Sequence, residues 1–109
     1  MGADTFIAFF GLRYPVAQSE IDAVENNEDE RSVAARRARL QTYFGRLTDG
    51  EDYFLFIGTS LGVFGLENDE YDAFDMKSLQ EVERETRRKL AEAGLAGEPQ
   101  LHLQFEAQY

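Results

Sequence analysis

Tyr53-Phe54-Leu55-Phe56-Ile57-Gly58-Thr59-Ser60-Leu61-Gly62-Val63-Phe64-Gly65 is the most apolar and most β-like stretch of the chain. Tyr53, Leu55 and Ile57 alternate with Phe54 and Phe56, so both faces of a strand over Tyr53–Gly58 are apolar. Thr59-Ser60, flanked by Gly58 and Gly62, reads as a tight turn. Leu61–Leu66 then reads as a returning strand, which makes the stretch a central hairpin. The glycines do not form a phosphate loop. The Lys-Ser/Thr ending of that motif is missing, and no strand-to-helix turn surrounds them.

Working outward, Thr5–Tyr14 is also apolar on both alternating faces, with Phe6, Ala8, Phe10 and Leu12 on one and Ile7 and Phe9 on the other. Such a strand belongs in the middle of a sheet. Pro15 lacks the amide hydrogen a ladder needs and should end it. Ser19 to about Asn26 reads as a short acidic helix capped by Ser19. Asn27 followed by Glu30 signals a second helix start. Val33, Leu40, Phe44 and Leu47 fall on one helical stripe, which predicts a helix to about Phe44 with Gly45 as its C-terminal cap. Asp75–Ala93 has the clearest helical period, with Asp75 or Ser78 as its cap, Leu79, Val82, Thr86, Leu90 and Ala93 on one face and Gly94 at its end. After Pro99, Leu101, Leu103 and Phe105 alternate with His102, Gln104 and Glu106 to about Ala107, predicting a last strand with the first set buried.

The order β-α-β-β-α-β, with the first helical region split in two, predicts an α+β, ferredoxin-like two-layer sandwich: an antiparallel sheet with helices on one face, residues 1–109 as one domain. Two helices cover one face of a sheet, whereas the first and second strands are apolar on both. The surplus, Phe9, Phe54, Phe56 and Phe64, is a candidate interface, and a homodimer or a protein partner is expected there.

The net charge of −10 is concentrated in two patches. Residues 20–30 hold six acids, including Glu28, Asp29 and Glu30, and residues 67–75 hold five, including Glu67, Asp69, Glu70 and Asp72, with no base in either stretch. These are candidate docking patches for a basic partner, and their field disfavours nucleic acid and anionic membranes. Their spacing does not match an EF-hand calcium loop. Arg36, Arg37 and Arg39 form a basic cluster, read as stems covering the edge of the core.

The sequence offers no convergent catalytic set. There is no cysteine and a single histidine, His102, so thiol chemistry, disulfides and multi-histidine metal sites are excluded. No catalytic residue, cofactor or metal site is assigned. No apolar run is long enough for a membrane helix, and the N-terminus has no basic leader pattern, so a cytoplasmic, acidic protein-binding or self-assembling module is expected. An acidic inhibitor or immunity-type protein, or a small-ligand sensor, is the alternative.

Overall fold

The computed structural model of the chain describes residues 5–46, 53–65 and 70–106. Its element order is β1 (Thr5–Val16), a short 3₁₀ turn (Gln18–Glu20), α1 (Ile21–Glu25), α2 (Glu30–Arg37), β2 (Gln41–Arg46), β3 (Tyr53–Gly65), α3 (Met76–Ala93) and β4 (Gln100–Glu106). The four strands form one antiparallel sheet in the order β2-β3-β1-β4. The fold is therefore α+β, and the first and last strands lie side by side.

The Tyr53–Gly65 stretch is not a hairpin. It is one thirteen-residue strand, paired with β1 from Thr5↔Gly65 to Val16↔Tyr53. The would-be turn residues Thr59 and Ser60 sit opposite Phe10 and Phe9. The register shifts between Ala8 and Phe9, which face Gly62 and Ser60, so Leu61 is the extra residue of a β-bulge. Pro15 does not end β1 either; it pairs with Phe54, and the strand runs on to Val16.

The glycines serve close approach rather than reversal. Gly11 and Gly58 are directly opposed, with φ of 155° and 158°. A Cβ at Gly58 would run into the Phe10 carbonyl oxygen and the Cα of Gly11, and one at Gly11 into the Ile57 carbonyl oxygen. Both contacts are with backbone, which has no freedom to move aside.

The strand missing from that hairpin is supplied upstream. The helix expected to reach Phe44 stops at Arg37. Ala38 caps it, Arg39 turns through φ 64°, and Gln41-Thr42-Tyr43-Phe44-Gly45-Arg46 pairs with β3 as β2. Thr42, Tyr43 and Phe44 are β-branched or aromatic and gain more on a pleated surface than on a helix. Leu40 is buried in the connection, and Leu47 lies outside the described residues. The α2 cap is Asp29 rather than Asn27: its carboxylate accepts the backbone N–H of Arg31 at 2.9 Å. The helix expected over Asp75–Ala93 is present as α3, with Asp75 as its N-cap. Asp75 accepts the Ser78 N–H, and Gly94 (φ 72°) closes it with Leu95 N–H reaching back to the Leu90 carbonyl.

Two apolar clusters flank the sheet. On the helix side Leu12, Val16, Leu55 and Ile57 meet Val24, Ala35, Leu40 and Leu90. Thr59 and the fully buried Thr86 share a 2.6 Å hydroxyl hydrogen bond that ties β3 to α3. On the other face Ile7, Phe9, Phe54 and Phe56 pack together with Tyr43 and Val63.

That second face is not an open plane. Strands lie about 4.8 Å apart, so the two outer strands of a flat four-stranded sheet stand about 14 Å apart. Here the Tyr43 hydroxyl on β2 donates to Glu106 Oε1 on β4 at 2.9 Å. A Cβ at Gly45 would lie 2.5 Å from Glu106 Oε2, so the carboxylate rests against the backbone of the opposite edge strand. The sheet is curled, with the aromatic cluster inside the curl.

Gly58→Ala should lower the unfolding free energy by roughly 2 kcal/mol or more, because backbone must separate to admit the methyl group. Gly94→Ala, where a Cβ meets open space and only the dihedral is unfavourable, should cost about 1 kcal/mol. Urea unfolding of the two variants against the parent checks both values.

Candidate docking surface

The apolar residues expected on a surface are inside the chain. Phe9 is 1% exposed, and Phe54 and Phe56 are fully buried within the curl. Phe9 and Phe56 stack at 5.2 Å, Phe54 and Phe56 meet at 5.0 Å, and Tyr43 stacks on Phe54 at 6.3 Å. The Arg13 guanidinium sits 4.9 Å above the Phe54 ring, a cation–π contact. Phe64 is half-buried and lies across from Phe6.

The exposed large apolar residues are instead Tyr71, Phe74 and Met76 at the approach to α3 and a stripe on β4, where the alternation is inverted from expectation. Leu101 is 53% exposed, Leu103 62% and Phe105 48%, and neighbouring Phe6 is 40% exposed. Their partners on β1 are Phe10, Ala8 and Phe6, the even-numbered residues that share a face with Leu12 and Val16. The stripe is therefore on the helix side, where the helical layer stops short of the edge strand. His102, Gln104 and Glu106 point into the curl. His102 Nε2 lies 3.0 Å from the Gly11 carbonyl, which can only accept, so this nitrogen carries the hydrogen. Its ring rests 5.2 Å from Phe56. That placement makes His102 part of the aromatic cluster.

Next to the stripe, α3 and the sheet enclose a groove of about 200 Å³ lined by Phe10, Leu61, Met76, Leu79, Val82 and Leu101, with Gln80 and Glu83 at its rim. The bulge at Leu61 places that side chain on the groove floor. Groove and stripe form one continuous apolar strip along β4 and the first half of α3.

The polar clusters are committed to structure only in part. Asp29 caps α2 and pairs with Arg31, whose guanidinium holds its carboxyl below the usual range. Glu28, Glu30, Glu70 and Asp72 are exposed, whereas Glu67 and Asp69 lie outside the described residues. Arg36 donates to the Asn27 carbonyl at 2.8 Å, and Lys89 reaches the Arg39 carbonyl at 3.4 Å. Arg37 borders a shallow recess with Ala34, Ala38, Glu92 and Ala93. Along α3, Arg87 pairs with Glu83 and Glu98, and Arg88 with Glu85 and Glu92. Among the described residues no group of three or more acids or histidines is placed to hold a metal ion, and no helix is long and apolar enough to cross a membrane.

Comparison with protein-family models, with curated proteins and with solved structures gives no significant match.

Burial and the hydrogen bond to Glu106 push the Tyr43 phenol up to about 12 from 10.0. A phenol whose pKa is raised on folding contributes stability that is present below the unfolded value and lost as pH rises toward the folded one. The parent should therefore lose stability between about pH 10 and pH 12, and Tyr43→Phe should reduce that loss. At neutral pH Tyr43→Phe, which removes a donor from a buried carboxylate, should cost roughly 1–3 kcal/mol. Urea midpoints measured at pH 7, 10 and 11.5 test both statements.

Proposed function

We propose that this chain is a protein-binding module that assembles with a second copy of itself through the apolar strip on β4. The observation that carries the reading is the exposure of Leu101, Leu103, Phe105 and Phe6 along one edge of the sheet. At about 200 Å² for a large side chain, those four leave roughly 400 Å² of apolar surface in water. A standard interface buries about 800 Å² per partner, a little over half of it apolar, so the strip is the right size for the core of one such interface.

The fold assignment accompanying this reading is ferredoxin-like. It is supported by the strand-helix-strand-strand-helix-strand order and by β4 lying beside β1 with β3 and β2 beyond it. That fold hosts many activities, so the argument for assembly rests on the surface alone.

Sedimentation velocity at micromolar concentration should show a dimer, and Leu103→Glu should weaken it by roughly a hundredfold or more, since a two-fold contact buries the new charge twice. Leu103 is mostly exposed, so the variant should keep the parent's circular dichroism and urea midpoint. Two copies of net charge −10 repel, so added salt should tighten the dimer. A complex between an acidic inhibitor and a basic protein would loosen instead. A parent that remains monomeric at tens of micromolar in both low and high salt overturns the reading.

A further inference from the structure

We infer that the two copies join edge to edge, β4 against β4, antiparallel about a two-fold axis at Leu103, to make one continuous eight-stranded sheet. The inference rests on the self-assembly reading above and specifies its geometry.

β4 pairs with β1 along one side, and its other side carries no strand among the described residues. Sheet edges exposed to water are ordinarily guarded against pairing by lysines, prolines or bulges. Gln100–Glu106 contains no lysine and no proline, and its pairing with β1 is in unbroken register. The one charge on the strand, Glu106, is turned into the curl toward Tyr43 rather than outward. In a chain of net charge −10, this edge is neutral where a like-charged copy must approach.

The sequence of β4 also fits itself. In an antiparallel pair centred on Leu103, each Leu103 faces the other, and each Leu101 faces the other copy's Phe105. All three apolar residues of both copies then meet as cross-strand pairs on the helix side. On the opposite side His102 faces Gln104 and Gln100 faces Glu106, with no like charges opposed. A shift of the axis to His102 sets Phe105 opposite position 99, and a shift to Gln104 sets Leu101 opposite position 107, both beyond the ends of β4. Only the register at Leu103 matches the full stripe, and the α3 helices of the two copies then flank it on either side.

The chain has no cysteine, so single cysteines report this register directly. Disulfides need Cα atoms within about 7 Å. Leu103→Cys alone should form a covalent dimer under mild oxidation. Leu101→Cys alone and Phe105→Cys alone should crosslink at least roughly tenfold more slowly, because residues four apart along a strand stand about 13 Å apart. An equal mixture of Leu101→Cys and Phe105→Cys should crosslink quickly into the mixed dimer. Sedimentation of the same variants under reducing conditions separates the two levels of the argument. If they are dimeric but Leu101→Cys crosslinks with itself as fast as Leu103→Cys, or Leu103→Cys does not crosslink, edge pairing in this register is wrong while self-assembly stands. If the reduced proteins and the parent are monomeric, both are wrong.

Discussion

The pairing of β1 with β3 is the constraint on which the structure depends. It runs for twelve residues of β1 and sets one face of each strand toward the helices and the other into the curl. Its tightest point is Gly11 against Gly58, where two backbones meet with no side chain between them. The helices then pack on Leu12, Val16, Leu55 and Ile57, and among the described residues the aromatic rings on the far side are covered by each other and by the two outer strands. Those strands give that cover by bending toward one another until Tyr43 reaches Glu106.

The curl explains an asymmetry that a flat sandwich would not show. Aromatic residues without a helix above them are buried, and aliphatic residues on the helix side are exposed. The helical layer covers β2, β3 and β1 and leaves β4, while the concave face draws β4 inward through Glu106 and His102. Glu106 is thereby buried and His102 half-buried, while the leucines of β4 are turned to solvent. Buried carboxylates need partners, and the Tyr43 hydroxyl is one that Glu106 finds here.

Much of this was legible in the sequence, and the misreadings have physical causes. The period of Met76–Ala93, its Asp75 start and its Gly94 end are local signals, and local signals read well. The apolar alternation of β1 and β3 correctly marked both as central. The hairpin reading failed because glycine serves both reversal and close approach, and a single sequence does not show that Gly58 has Gly11 opposite it. The long α2 failed because Phe44 and Leu40 fit a helical stripe as well as they fit a strand and its approach; Thr42 and Tyr43 were the competing signal. The faces of β4 were inverted because alternation gives two faces without saying which one the rest of the molecule covers. The interface phenylalanines followed from the same assumption, that a sheet face without a helix is exposed. The reach from Tyr43 to Glu106, across sixty-three residues of sequence, shows otherwise.

The central strand pair also has a temporal consequence. Its nearest rung joins Val16 to Tyr53 and its farthest joins Thr5 to Gly65, while β4 closes on β1 from the far end of the chain. None of these rungs is local, in contrast to β2 with β3, which meet at Arg46↔Tyr53, so the loop-closure entropy of most of the chain is lost before the central pair gives anything back. α3 forms its own caps and ion pairs without the sheet, yet it has no surface to rest on until β1 and β3 have met. The molecule is thus built to assemble late and together, with the glycine contact at its centre as the point both halves of the chain must find.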